Sequence, residues 1–194
     1  MPPAARPTDN VAHPLPPVLM PGPGSPTVLI GFLPAWRGVP AAVAAALQGA
    51  KKAADIAIQA AQAATLAAAG TPGAPAAKAA EEATKASMLA SMSSTITSSA
   101  GGADIHMCTT PFPIPPHGPG VVIDGSSTVL INNLPAARMG DTILEAIGPP
   151  NKIVKGCMTV LIGIPGQGRT LQIAAETGVP FCEECEKAKA ASHA

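Results

Sequence analysis

Four side chains of the types that bind transition metals occur in loop-like segments of this 194-residue chain: His13, His106, Cys108 and His117. Imidazole nitrogen and thiolate sulfur are ligands that Zn²⁺ prefers, and four of them satisfy a closed tetrahedral site. His106 and Cys108 are two residues apart, so an extended segment presents both on the same side. The set predicts a structural metal site, with zinc favoured by the combination of thiolate and imidazole.

Simpler interpretations stay open for individual members of this set. His13 precedes a proline, which is typical of an ordinary loop residue. His106 is the weakest candidate. Its alternatives are an exposed residue or a support for another ligand, with another group completing the site. Glu145 departs from the usual ligand types, and we expect it to remain solvated or to cap a turn.

The elements that would position these side chains belong to a phrase that occurs three times. Its copies are GSPTVLIGFLPAWR at 24–37, GSSTVLINNLPAAR at 125–138 and GCMTVLIGIPGQGR at 156–169. In each copy a glycine precedes a β-branched run that ends near a second turn, which is typical of a short strand. PAARPTD at 3–9 also matches PAARMGD at 135–141, so the N-terminus is predicted to complete the third copy. Three such units imply pseudo-threefold symmetry.

A second pattern connects the candidate ligands with this repeat. In each unit an aspartate is followed four residues later by a polar or ligand-type residue; the pairs are Asp9 with His13, Asp104 with Cys108 and Asp141 with Glu145. The first unit thus offers a histidine where the second offers a cysteine. Ligands that converge on a threefold apex would be placed in this way.

These phrases resemble the PAAR-repeat proteins, which tip the spike of type VI secretion systems and related contractile injection systems. The resemblance rests on Pro-Ala-Ala-Arg at 3–6 and 135–138, the variant Pro-Ala-Trp-Arg at 34–37, the T-V-L-I strands, and Asp-x-His-x-Cys at 104–108. It implies a mainly β fold, a small pseudo-threefold cone of short strands with a metal at its apex. It also implies a zinc site of three histidines and one cysteine, with iron as the alternative metal of phage-type tips.

An insertion separates two parts of the predicted cone. Residues 1–38 and 104–170 are assigned to the cone, 39–103 to an inserted Ala-rich α-helical hairpin, and 171–194 to a C-terminal tail. Alanine content favours the first helix, which the turn sequence GTPG at 70–73 ends. The second is predicted over about 75–92, and 91–102 then returns to the cone. We expect a soluble hairpin that is dispensable for folding of the tip and recruits a partner. The alternative is a membrane-entry segment, which its lysines disfavour.

The other cysteines have weaker claims to chemistry. Cys157 stands where the other copies of the repeat have serine, and we expect a small inward-facing thiol there. Cys182 and Cys185 form a single CxxC in the tail, without a second CxxC or a histidine pair at finger spacing. A redox or zinc-finger role for them therefore has little support.

Composition narrows the classes of function. The chain has 12 basic and 12 acidic residues, which gives no basic footprint for nucleic acid. Aromatic residues are 2% of the chain, which argues against a large enzyme core, and no catalytic motif occurs. The N-terminus lacks the basic and apolar regions of a signal peptide, so we expect the chain to start in the bacterial cytoplasm.

The leading hypothesis is a non-enzymatic piercing tip. The resemblance implies that one copy caps a trimeric spike protein of the VgrG type, contacts the target membrane transiently, and is then secreted or injected with the spike. Effectors, chaperones or baseplate components are the further partners it implies. The alternatives are a specialised toxin with a membrane-active helical insert and a small zinc hydrolase in which solvent replaces one ligand.

Overall fold

The computed structural model describes residues 1–12, 18–108 and 117–163. The predictions for His13, Cys182, Cys185 and the tail at 171–194 lie outside these residues. The strands are β1 Pro3–Ala4, β2 Leu29–Ile30, β3 Leu33–Pro34, β4 Ile105–Cys108, β5 Gly118–Val122, β6 Leu130–Ile131, β7 Leu134–Pro135, β8 Thr142–Glu145, β9 Asn151–Lys152 and β10 Cys157–Leu161. The helices are α1 Ala41–Ala67 and α2 Ala74–Ser99.

The architecture is mixed α/β, which corrects the prediction of a mainly β chain. Helices α1 and α2 contain 27 and 26 residues, whereas the longest strand of the described segments has five. The predicted short strands are present, and they pair antiparallel in four small sheets. Proline cannot donate to a strand ladder and glycine weakens a strand, so a chain with 23 Pro and 19 Gly keeps its strands short.

Helix α2 also runs further than predicted, to Ser99 instead of about residue 92. The hydroxyl groups of Thr95 and Thr97 donate to the carbonyls of Ser91 and Ser93, within the helix. Ile96 of this last part is fully buried. Tertiary packing thus extends the helix through a Ser/Thr-rich stretch of low helix propensity.

Each copy of the repeat forms a corner, meaning a pair of short antiparallel strands in one register. In β2–β3 the leucine of TVLI pairs with the proline of the PAAR-type phrase, and the same pairing recurs in β6–β7. The third corner joins distant parts of the chain, because Pro3 of β1 pairs with Leu161 of β10. The prediction that the N-terminal phrase completes the third copy is confirmed.

The first two corners turn through two residues with positive φ, the conformation of a type I′ hairpin. Gly31 and Phe32 have φ of 55° and 68°, and Asn132 and Asn133 have φ of 52° and 64°. Glycine and asparagine are the residues that such turns favour, whereas Phe32 is bulky and 96% exposed. The first turn therefore carries an unfavourable residue that the second does not.

Three equivalent residues close a ring of backbone hydrogen bonds. The N–H of Trp36 donates to the carbonyl of Ala5, that of Ala137 to Trp36, and that of Ala5 to Ala137, each with an N···O distance of 2.9 Å. All three residues are buried, and each follows the Pro-Ala of its phrase. The ring joins the three corners in a local threefold arrangement.

An arginine–aspartate pair of constant geometry fastens each corner. The pairs are Arg6–Asp9, Arg37–Asp104 and Arg138–Asp141. In each, the backbone N–H and Nε of the arginine donate to one carboxylate oxygen, and Nη2 donates to the other at 2.9–3.0 Å. The members are three residues apart in two pairs and 67 apart in the other. The insertion between Arg37 and Asp104 therefore leaves the corner intact.

The helical insert and the strands share one hydrophobic core. It contains Leu47 of α1, Ile96 of α2, Val121 of β5 and Leu144 of β8, all buried. Removal of the hairpin would expose the strand residues, so this packing argues against the expectation that the insert is dispensable for folding. Neither α1 nor α2 combines the length and apolarity that a bilayer-spanning helix requires.

Candidate metal centre

The four-stranded sheet β4-β5-β8-β9 positions the candidate ligands. His106 in β4 lies opposite Gly120 in β5, and Gly120 lies opposite Glu145 in β8. A Cβ atom on Gly120 would lie only 3.0 Å from Cγ of Glu145. Because the middle strand has no side chain here, Nε2 of His106 and Oε1 of Glu145 approach to 3.7 Å across it.

Cys108 and His117 lie at one end of the same sheet. Cys108 is the last residue of β4 and pairs with Gly118, the first residue of β5. The backbone N–H of His117 donates to Sγ of Cys108 at 3.4 Å. Gly148 packs beneath the imidazole, since a Cβ atom there would lie 2.9 Å from Nε2 of His117. The two glycines leave the space that the ligand side chains occupy.

Three potential ligands converge at this end of the sheet. One ligand atom from each of Cys108, His117 and Glu145 lies within 4.8 Å of the other two. Cys108 and Glu145 are buried, and the side chain of His117 is 22% exposed. Thiolate, imidazole and carboxylate are all ligands of zinc in proteins. The buried Oε1 of Glu145 also has no hydrogen-bond partner among the described residues, so the donor set fits a cation.

The expectation for Glu145 was wrong. Its side chain is 1% exposed, and Oε2 lies 2.7 Å from Nδ1 of His117. The carboxylate lies inside the site because β5 and β8 pair in a register that sets it beside the side-chain-free Gly120. The available signal was positional: Glu145 follows Asp141 at the spacing at which Cys108 follows Asp104.

Of the other two predicted ligands, the structure describes His106 but not His13. His106 is 1% exposed and joins the group through its approach to Glu145. It is therefore not the exposed residue that was one of its alternatives. His13 lies outside the described residues. The set of His13, His106, Cys108 and His117 remains a prediction, of which the structure brings Cys108 and His117 together.

Cys157 has the role that its place in the repeat predicts. It is buried among Ile30 and Ile131, and its Sγ lies 3.2 Å from the hydroxyl of Thr159. The hydrogen bond with Thr159 lowers the pKa of the Cys157 thiol. Ser25 occupies the equivalent position of the first corner, where its hydroxyl accepts from the N–H of Val28. Cys157 thus continues a small-residue position of the corners.

Comparison with protein families identifies part of the chain. Residues 100–168 match the family described as the PAAR motif. The matched range begins just before β4 and includes Cys108, His117 and Glu145. Comparisons with curated proteins and with solved structures gave no match.

Proposed function

We propose that this chain, a PAAR-repeat protein by its motif, is the tip of a spike in a type VI secretion or related contractile injection system. In this proposal it is a small metal-tipped cone that caps a trimeric VgrG-type protein. It is held in the bacterial cytoplasm before firing, then leaves with the spike and contacts the target membrane transiently. Its role is mechanical, and no catalytic step is assigned to it.

The closed ring of Ala5, Trp36 and Ala137 is the observation that carries this proposal. A single chain that presents three equivalent corners can match a threefold partner with one copy. An asymmetric chain would contact one subunit of a trimer differently from the others. The ring thus supports a stoichiometry of one tip per trimer.

The corners also offer a surface for docking. Leu29, Leu130 and Leu161 occupy equivalent positions and are 65%, 55% and 48% exposed. The isoleucine that follows each of them is buried, as the alternation of side chains along a strand requires. Equivalent exposed leucines on short strands provide apolar surface that the end of a β-rich trimer would cover.

A metal would give this tip rigidity. Cys108 and His117, with His106 and His13, are the residues proposed to hold it, and zinc is the ion that these donors favour. When bound, the ion crosslinks strands and contributes free energy of folding. This contribution matters because a small domain with few aromatic residues gains little stability from burial alone. Cys108 and His117 lie close together because Cys108 ends β4 opposite Gly118 of β5, and this proximity supports their part in the proposal.

The helical insert is proposed to position a partner such as an effector, chaperone or baseplate component. The start of α1, with Leu47, and the end of α2, with Ile96, belong to the core shared with the strands. Away from this core, Ile56 and Leu66 of α1 are 57% and 76% exposed. The hairpin thus extends apolar surface from the tip.

Docking is tested by native mass spectrometry of the full chain mixed with its trimeric spike protein. We expect one copy of the chain per trimer. Simultaneous replacement of Leu29, Leu130 and Leu161 by Glu should abolish the complex, because each corner would bring a carboxylate into the interface. The control is Leu66→Glu, an equally drastic change on the insert. Three copies per trimer, or binding of the triple variant at wild-type affinity, would contradict the proposal.

A further inference from the structure

Glu145 is a buried carboxylate with an unusual set of neighbours. Its side chain is 1% exposed, yet among the described residues its ion-pair partners are the imidazoles of His106 and His117, with no lysine or arginine. The buried aspartates of the corners, in contrast, all have an arginine. Buried carboxylates in proteins are paired or lie at a metal ion, and no permanently charged side chain pairs with Glu145 among the described residues.

The contact with His117 fixes the role of each ring nitrogen. Oε2 of Glu145 lies 2.7 Å from Nδ1 of His117, and an ionised carboxylate can only accept a hydrogen bond. With an ionised Glu145 and a neutral imidazole, Nδ1 is the donor and the lone pair is on Nε2. This tautomer is the one in which a metal-binding histidine donates its other N–H to a carboxylate.

The charge balance leads to the same role. A divalent cation held by one thiolate and neutral imidazoles keeps one uncompensated positive charge in a largely buried site. One carboxylate cancels it. Oε2 is engaged by His117, and Oε1 lies 3.7 Å from Nε2 of His106, so Glu145 stands between two imidazoles of the proposed ligand set.

We propose that Glu145 is a positioning residue of the metal centre. It holds His117 in the Nδ1–H tautomer with Nε2 available to the ion, and its charge neutralises the loaded site. This inference rests on the proposed function only in that a metal binds at Cys108 and His117. It assigns the third unit of the repeat a part in the site, at the position where the second unit has Cys108.

The first experiment measures zinc affinity of the full chain by competition with a chromogenic chelator. Glu145→Gln keeps an acceptor oxygen but removes the charge, and Glu145→Leu removes both. We expect affinity to fall about 10- to 100-fold in the first variant and further in the second. Glu82→Gln on the exposed side of α2 is the matched control and should bind like wild type. Equal affinity of wild type and both Glu145 variants would overturn the inference.

Two spectroscopic measurements separate positioning from ligation and from loss of structure. In the zinc-loaded wild type, ¹⁵N NMR should show His117 protonated at Nδ1; protonation at Nε2 overturns the inference without any variant. In Co²⁺-loaded Glu145→Gln, the tetrahedral d–d bands and the thiolate charge-transfer band should be unchanged. A change of coordination number there would make Glu145 a direct ligand and also overturn it. If wild-type protein binds no metal, the metal centre of the proposed function fails as well, which distinguishes the two failures.

Discussion

The three corners and the helical insert are held by different kinds of charge interaction. In the corners, each aspartate is buried and joined to its arginine by bidentate bonds, in one case between residues 67 positions apart. On α2, pairs three or four residues apart join Lys78, Glu81, Glu82 and Lys85. The side chain of Glu81 is buried, whereas those of Lys78 and Glu82 are more than half exposed. Arg37–Asp104 joins distant segments and Arg138 also donates to the carbonyl of Asp124, whereas the helix pairs support a conformation that alanine already favours.

Removal of an arginine from a corner should give the largest loss of stability in this comparison. Arg138→Met leaves Asp141 buried without its partner, and we expect a loss of about 3–5 kcal/mol in the free energy of unfolding. The loss should be smaller for Arg6→Met, because the side chain of Arg6 is 18% exposed whereas that of Arg138 is fully buried. Urea unfolding measures both.

Lys78→Met is the control for this series, since the side chain of Lys78 is 55% exposed and its ion pairs among the described residues lie within its own helix. Its unfolding curve should be close to that of wild type. Equal losses in the free energy of unfolding from Lys78→Met and Arg138→Met would show that the corner pairs contribute no more to stability than the pairs on α2.

A pair of glycine substitutions gives effects of opposite sign. A Cβ atom on Gly120 would lie 2.8 Å from Cγ2 of Ile143 and 3.0 Å from Cγ of Glu145, so Gly120→Ala should cost about 1–3 kcal/mol. In α1, Gly49 has no atom within 4 Å of the added Cβ. Gly49→Ala should therefore stabilise the chain by about 0.5–1 kcal/mol. Urea unfolding of the two variants checks the signs, and a loss from both would contradict this prediction.

The two hairpin turns allow a smaller test within the corners. Phe32→Asn gives the first turn the residue that the second has at Asn133, and we expect a gain of about 1 kcal/mol, because left-handed backbone is costly for a bulky residue. Asn133→Phe should lose a similar amount. Thermal unfolding of both variants measures the exchange. A loss of stability in Phe32→Asn would indicate that the aromatic ring, although 96% exposed, has a stabilising contact.

The smallest effect concerns the acid dependence of the insert. Hydrogen bonds from Lys85 and Thr65 lower the pKa of Glu81 to about 2, and the pairing with Lys78 acts in the same direction. An unfolded glutamate titrates near pH ~4.3, so between these values the unfolded chain binds more protons. The contribution of Glu81 is therefore complete above about pH 5 and is lost as the pH falls toward about 2.

Circular dichroism of wild type and Glu81→Gln during urea unfolding checks this dependence. The difference in stability between the two proteins should shrink as the solution is acidified. A difference that stays constant with pH would contradict the claim that the ionised carboxylate of Glu81 stabilises the folded chain.

The corners were predictable from sequence because their signal is repetition. Identical residues at constant spacing indicated that β1 and β10 belong to one unit, and the pairing of Pro3 with Leu161 confirms it. The helices were predictable from alanine content. The end of α2 was not, because Ile96 is kept helical by packing against the strands and not by local propensity.

The environment of Glu145 depends on strand order and register, which no local sequence pattern contains. Its burial requires β5 to place Gly120 between β4 and β8, and a glycine in a sequence does not reveal which strands flank it. The repeat gave the position of Glu145 but not its surroundings. The sequence also did not predict the core that the helices share with the strands. Alanines such as Ala44 can pack equally well within a separate hairpin or within a joint core.

The pairing of β1 with β10 has a consequence for the order of folding. The first two corners are closed by two-residue turns and can form as soon as each hairpin has been synthesised. The third must wait, since Leu161 is synthesised only after its partner Pro3, both helices and the strands β4 to β9. Closure of this long loop carries the largest entropic cost of the three. The ring of Ala5, Trp36 and Ala137 can therefore be completed only after both helices have been synthesised.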